Sequence, residues 1–394
     1  MAENQKRLKT LKPNVLYLGP LGRQGGIGGT ARLRNMLGVL EKLGAHTQLI
    51  SYLPEEKFKV VHTQVNDYLN TVAICVSRLT PRIFRIPALL LILVYGLKYI
   101  RKTDIIFAHS PDMVYGLPAL ILAKTFNKPL LIDFMDIKDP ITPGFIYRWM
   151  LKYSSAVLTI SAFSEEVKKI GCLNVVYAPG FIDADVFRSN ASERKRIREE
   201  LNIAGNEIAI GYVGAFSYED GLSFLLKAFY RLSRRYDNIR LIMLGGRNVA
   251  GADNIPQLID ELALKEKVIL IPPQPYESVP GYLSAFDIAC SPKIDCPANR
   301  AADPIRVYEY MSVGLPVVAS AVSETANAIE NGCDGFLAAP GDEDDLARVL
   351  EHVIQNLASL QELRKKAREK VINNYTQEVV LKKLETQLKN LLTK

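Results

Sequence analysis

Short apolar runs recur down this chain, and nearly every one is followed by a stretch with helical spacing. The first covers residues 14–19 (NVLYLG), a buried strand ending at a glycine. A glycine-rich loop follows (Gly22, Gly25, Gly26, Gly28, Gly29), then a helix over 30–43 with Leu33, Leu37 and Leu40 on one face, then a strand over 47–52. Strand, loop, helix and strand in that order open a parallel α/β sheet. The alternation continues with strands over 104–108, 129–134, 156–160 and 175–177 and helices over 111–126, 145–153 and 164–170, up to a break at Pro179 and Gly180. A charged helix over 191–201 leads to a second series. Its strands are expected over 208–213, 239–244, 268–271, 288–291, 316–319 and 335–338, and its helices over 221–234, 254–264, 279–285, 305–313 and 344–358. The tail, 376–392, places Val379, Val380, Leu384, Leu388 and Leu391 at helical spacing and reads as a packing helix. The expectation is therefore two consecutive doubly wound, Rossmann-like units. Each binds ligands at the carboxyl ends of its strands, where the strand order reverses.

A chain of 394 residues suits two domains, expected at 1–184 (with 376–394 packing back on it) and 185–375. The five cysteines, Cys75, Cys172, Cys290, Cys296 and Cys333, are odd in number and scattered, without a CxxC, so they read as reduced thiols. Four histidines, far apart in the sequence, argue against a His-rich metal site. Residues 1–13 are basic but no apolar segment follows them, so no secretory signal is expected. The longest apolar run, 86–97, spans roughly 18 Å as a helix, short of a bilayer core of about 30 Å. A soluble, cytoplasmic protein is the expectation. The net charge of +7 is uneven: residues 1–190 hold 24 Lys and Arg against 14 Asp and Glu, and the remainder 25 against 28. A basic first half points to an anionic partner such as a membrane surface or a phosphorylated acceptor. Residues 78–102 (RLTPRIFRIPALLLILVYGLKYIRK) join basic and apolar character, and read either as a buried helix or as a membrane contact at the cytoplasmic face. No motif or aromatic-basic interleaving supports nucleic-acid binding.

The most informative stretch is 302–320, ADPIRVYEYMSVGLPVVAS. Pro304 suits the first turn of a helix, whose leading amides, including those of Ile305 and Val307, would face an anion. Arg306 can add a charge-assisted contact, and Glu309, one turn on, can accept two hydroxyls of a ribose. The bland alternatives are a structural ion pair for Arg306 and a surface acid for Glu309.

This stretch resembles the GT-B retaining glycosyltransferases, in particular family 4 (glycosyl transferases group 1), whose E-A/Y-M-A-x-G-x-P-V-V-A-S pattern is similar to Glu309–Ser320. Pro304 to Met311 is similar to P-x-K-x-x-E-Y-M, with Arg306 in place of Lys. The loop holding Gly25, Gly26, Gly28 and Gly29 resembles the family's glycine loop. Pro179-Gly180-Phe181-Ile182-Asp183 resembles its domain junction, and residues 331–342 resemble N-G-x-N-G-x-L-x-x-P-G-D. Three features depart from the pattern. Ala301 stands where the first acid of E-x7-E belongs, with Asp303 the nearest carboxylate. Ala215 and Asp220 stand where the phosphate motif has Arg and Lys, and Met135-Asp136 replaces His-Asp.

The resemblance implies a GT-B fold, two Rossmann-like domains facing across a cleft. It also implies a metal-independent, retaining hexosyltransferase that uses a UDP- or GDP-sugar. Donor contacts are expected from Glu309, Arg306, Ile305, Val307, Gly28, Gly29 and Gly214, with Lys293 and Arg247 as further candidates for the missing positive charge. Asp136, Asp303 and His109 are the candidate catalytic residues; a cap for Asp303, a local ion pair for Asp136 and a structural role for His109 are the alternatives. The expected acceptor is a lipid-linked or membrane glycan precursor. Two other readings stay open: a degenerate, non-catalytic subunit that binds a partner transferase, and a sugar-nucleotide epimerase.

Overall fold

The computed structural model describes residues 12–20, 31–55, 58–77, 85–134, 144–246 and 254–392. The chain divides into two compact units, Met1–Phe181 with Gln377–Lys394, and Ile182–Thr376. Residues 182–184 fall in the second unit because Ile182 donates its N–H to the Tyr375 carbonyl and bridges to Thr376.

The first unit runs β1 (Asn14–Leu18), α1 (Ala31–Lys42), β2 (His46–Glu55), β3 (Lys59–Gln64), β4 (Leu69–Ser77), α2 (Arg85–Tyr99), β5 (Ile105–Ala108), α3 (Gly116–Thr125), β6 (Leu130–Phe134), α4 (Gly144–Tyr153), β7 (Ala156–Thr159), α5 (Ser161–Ile170) and β8 (Val175–Tyr177). Its sheet has the order β3-β4-β2-β1-β5-β6-β7-β8 and is parallel except for β3, which pairs antiparallel with β4. Strands β3 and β4 were not expected from the alternation: no helix separates them from β2, and β3 is exposed along nearly all its length, so it lacks an apolar face.

Side-chain alternation sorts the strand residues onto two cores. Leu16 and Leu18 of β1 face a core closed by α2, α3, α4 and α5. Val15 and Tyr17 face the opposite core, closed by α1 and by the last helix of the chain through Val380, Leu384 and Leu388. Among the described residues of this unit one charged group has no exposure at all. Asp133 of β6 takes the Arg32 guanidinium from α1, Nη2 to Oδ1 at 2.7 Å and Nε to Oδ2 at 2.9 Å, while Nη1 of Arg32 donates to the Pro179 carbonyl. Arg32 is 4% exposed and Asp133 0%. A buried charge is tolerated only when paired and hydrogen-bonded, and this pair ties helix, strand and junction together.

The second unit runs α6 (Ala191–Glu200), β9 (Ile208–Gly214), α7 (Leu222–Ser233), β10 (Ile239–Gly245), α8 (Ile255–Glu261), β11 (Val268–Ile271), α9 (Val279–Ala285), β12 (Ile288–Ser291), α10 (Pro297–Arg300), α11 (Ile305–Val313), β13 (Val317–Ser320), α12 (Glu324–Ala328), β14 (Phe336–Ala338), α13 (Glu343–Asn356) and α14 (Gln361–Asn374). The final helix, α15 (Gln377–Leu392), belongs to the first unit. The six strands are all parallel in the order β11-β10-β9-β12-β13-β14. Helices α7, α8 and α13 pack on one face of the sheet and α9 and α11 on the other. Helix α14 escaped the sequence reading because it is highly charged and buries only Leu363, Ala367 and Val371.

Replacing Asp133 with Ala leaves the Arg32 guanidinium buried without its carboxylate. The expected loss is about 3–5 kcal/mol of stability, read as a lowered urea midpoint. An unchanged midpoint would show that the pair does not hold the unit.

Candidate functional site

In the second unit the chain builds β9, β10 and β11 outward to one side, then returns to lay β12, β13 and β14 on the other. The reversal falls between β9 and β12, and the loops leaving these two strands must diverge there, opening a crevice at their carboxyl ends. Strand β9 ends at Gly214 (φ 155°), in a backbone conformation side chains rarely adopt, and a Cβ there would lie 2.0 Å from Nη2 of Arg306. Gly245, ending β10, would press a Cβ onto the Gly214 carbonyl. The glycines are thus what allow the guanidinium and the neighbouring backbone so close.

Arg306 lies in the first turn of α11 with its guanidinium carbon 4.6 Å from the centre of the Tyr212 ring, and its Nη1 is 3.0 Å from Oδ1 of Asp220. The Ser217 hydroxyl donates to the other Asp220 oxygen at 2.7 Å. Burial pushes the Asp220 carboxyl up, but Arg306 and the Ser217 hydroxyl outweigh it and hold it below the usual range. Burial likewise opposes charge on Arg306, while Tyr212, Asp220 and Tyr310 overcome it and keep the guanidinium's pKa raised. The residue in the family's Lys position has therefore become an acid that claims Arg306. The expectation that Arg306 stands open to phosphate is corrected to this extent: it enters the site already paired. The signal was legible, since an acid replacing a base beside an unusual Arg is a charge exchange between neighbours.

Lys293 follows β12 at the same switch point. Burial and Arg306 lower its pKa, against the pull of Asp220, Cys296 and Asp303. Among the described residues it makes no ion pair. Asn299 of α10 closes the arrangement by donating to the carbonyls of Glu219 and Ile294, which ties the loop after β9 to the loop after β12. Sequence reading singled out neither Asn299 nor Tyr212, because an isolated amide and a strand tyrosine carry no motif.

The start of α11 offers fewer open amides than expected. Pro304 is the N-cap, not a first-turn residue, and no side chain caps the helix, so Asp303 is not its cap. The Ile305 amide donates to the Asp303 carbonyl, and those of Val307 and Tyr308 to the Pro304 carbonyl. Val307 also buries its side chain in the core, so it presents neither group to a ligand. Glu309 is 8% exposed, which rules out a solvated surface acid. Asp303 lies close enough to raise the pKa of both Lys293 and Tyr375. The structure thus gathers Arg306, Lys293, Asp303, Asp220 and Gly214 at one switch point.

In the first unit the reversal lies between β1 and β5. His109 stands there, its backbone N–H donating to the Leu18 carbonyl and its ring Nδ1 3.4 Å from the Tyr17 hydroxyl. Burial, with Asp133 adding and Arg32 opposing, holds the Tyr17 pKa well up, so the hydroxyl keeps its proton. Gly28, Gly29, Asp136 and Arg247 lie outside the described residues. Among the described residues no group of three or more His, Cys, Asp or Glu is arranged to hold a metal ion.

Residues 193–370 match the family Glycosyl transferases group 1. That match lies wholly within the second unit and spans most of it. A D-inositol 3-phosphate glycosyltransferase of Mycobacterium marinum is 28% identical over 192 residues, which is 48% of this chain and 38% of that protein. The match thus spans well under half of that relative's length. Among solved structures, a sucrose-phosphate synthase from Thermosynechococcus elongatus superposes with a TM-score of 0.79 at 18% identity, covering 97% of this chain and 100% of its own. Anabaena HepE in complex with UDP-glucose superposes with a TM-score of 0.73 at 17% identity, covering 96% and 100%. These likenesses show the fold, which is GT-B.

Asp220→Asn tests the charge exchange. The pair's stabilisation is present above the ordinary Asp pKa of about 3.9 and is lost as pH falls through the lowered folded-state value. The variant is expected to lose roughly 2 kcal/mol or more at neutral pH and to show a shallower loss of stability below about pH 4 than the parent. Superimposable pH profiles for the two proteins would refute the pairing.

Proposed function

We propose that this protein transfers a hexose-type sugar from a nucleoside-diphosphate donor to an acceptor, with retention and without a metal ion. The observation that carries the reading is the pairing of two cations, Lys293 and Arg306, at the switch point of the unit that holds the group 1 match. As the bond from the anomeric carbon to the diphosphate breaks, charge builds on the leaving oxygen. Fixed cations beside it stabilise that charge without reorganising. The leaving oxygen takes the proton of the acceptor hydroxyl as the new glycosidic bond forms, so no separate base is needed. Lys293 is the diphosphate residue in this reading, since Arg306 is shared with Asp220, and Glu309 reaches the ribose. A UDP-sugar is favoured over a GDP-sugar because the similar HepE structure holds UDP-glucose. The basic character of residues 1–190 favours a lipid-linked or membrane glycan acceptor, reached at the cytoplasmic membrane face.

One observation favours a second reading. Asp220 in place of the family's Lys removes a cation and neutralises another, as expected of a subunit that has given up donor binding and serves a partner transferase.

Titration calorimetry of the whole protein with UDP, GDP, UDP-glucose, UDP-N-acetylglucosamine and GDP-mannose separates the two. Binding of one nucleotide is expected, weakened about tenfold or more in Lys293→Ala and weakened also in Glu309→Gln. Because a diphosphate raises the lowered Lys293 pKa, binding at alkaline pH is expected to take up protons, seen as a buffer-dependent enthalpy that the Ala variant lacks. A folded protein that binds none of the five favours the non-catalytic subunit.

A further inference from the structure

We propose that the outer face of α2, α3 and α4 in the first unit is a docking surface for an anionic lipid bilayer. The three helices pack side by side, α2 on α3 and α3 on α4. Their inner sides, with Ala88, Ile92, Leu120 and Met150, are buried in the core. A helix in that position ordinarily turns a charged stripe to water. These turn apolar ones: Leu90, Val94 and Leu97 of α2 follow one another at intervals of four and three residues, and Phe145, Trp149 and Tyr153 of α4 at intervals of four. Phe145 is 74% exposed and Val94 61%.

The three helices themselves carry charge of a single sign, the nearby acid Glu166 standing on α5 beside Tyr147. Residues 85–102, 116–128 and 144–153 together contain eight Lys and Arg and no Asp or Glu. Each of the three helices has a lysine in its last turn, Lys98, Lys124 and Lys152, and none has an acid in its first. The helix dipole accounts for a lysine at each carboxyl end, but the same dipole favours an acid at each amino end, so it does not explain the absence of acids. Among the described residues Lys98, Arg101, Lys102, Lys124, Arg148 and Lys152 form no ion pair. Lys124 and Lys152 instead lie 5.5 Å and 5.8 Å from the centre of the Tyr153 ring.

Apolar side chains, aromatic rings and unneutralised cations mixed on one face match the layered chemistry of a bilayer surface. The leucines and valine enter the acyl boundary, Trp149 and Tyr153 sit at headgroup depth, and the cations meet anionic headgroups. A nucleic acid would satisfy the cations but leave the aliphatic stripe of α2 without a partner. Among the described residues no helix is long and apolar enough to cross a membrane, so the face lies on the bilayer. This deepens the acceptor part of the proposed function but is read without sugar transfer, so the two can fail separately.

The chain has one tryptophan, Trp149, and it lies on this face, so the whole protein reports its own docking. With vesicles of phosphatidylcholine and phosphatidylglycerol, Trp149 emission is expected to shift to the blue and to be quenched by brominated acyl chains, and the protein to float with the vesicles. Lys124→Gln with Lys152→Gln should lower partitioning about fivefold per charge, and added salt should weaken binding further. Val94→Ser with Phe145→Ser should abolish the blue shift. Where a variant loses its far-ultraviolet circular dichroism, the parent protein with and without phosphatidylglycerol decides. Absence of flotation and blue shift, or equal binding to pure phosphatidylcholine, overturns the proposal. So does a blue-shifted, dimeric protein free of vesicles, which would assign the face to a second copy of the chain. Nucleotide binding that persists in a protein that does not float would leave the transferase reading intact.

Discussion

Arg306 can reach Asp220 only because β9 ends in a glycine, and much of the second unit's binding end is arranged around that reach. A guanidinium from the first turn of α11 crosses above the Tyr212 ring and meets a carboxylate held in the loop after β9. That loop is tied by Asn299 to the loop after β12. Remove the glycine and the guanidinium has no room; remove the carboxylate and a largely buried cation is left without its counter-charge. The switch point of a parallel sheet supplies the crevice, and this ion pair sets the electrostatic field in which Lys293 sits.

Most of the second unit was legible from the sequence, since each parallel strand there is a short apolar run bounded by a helix of clear periodicity. Strands β11 and β12 and helices α9 and α11 fall where spacing put them. Strand β4 escaped although its core residues Val72 and Ile74 are buried, because no helix separates it from β2; β3 and α14 escaped through weak local apolar signal. Strand β3 forms an exposed hairpin edge, and α14 spends most of its surface on charge. The site was half visible. Gly214, Lys293, Asp303 and Arg306 were marked as single residues, and the structure brings them together. The Asp220 pairing and the amide geometry at the start of α11 depend on how the chain folds locally around Pro304, which spacing does not encode.

The two units bury charge in different ways. The first holds its Arg32–Asp133 pair wholly inside, linking a helix, a central strand and the Pro179 carbonyl. The second keeps its Arg306–Asp220 pair at the strand ends, with the two side chains 19% and 10% exposed. A pair sealed in the core has no ligand to compete for it, and its charges act on the neighbouring Tyr17 hydroxyl. A pair at the rim of a crevice can exchange partners, which makes it suited to sensing an arriving anion.

The returning helix α15 has a consequence for how the protein is made. Val380, Leu384 and Leu388 fill the core beneath α1, at roughly 1.5–3 kcal/mol for each buried aliphatic side chain. They are translated only after the whole of residues 182–376. On the ribosome the amino-terminal sheet therefore has this core covered by α1 but not yet by α15 while the second unit emerges. The order of completion is the reverse of the order of synthesis, and a nascent chain stalled before residue 380 would expose apolar surface to chaperones.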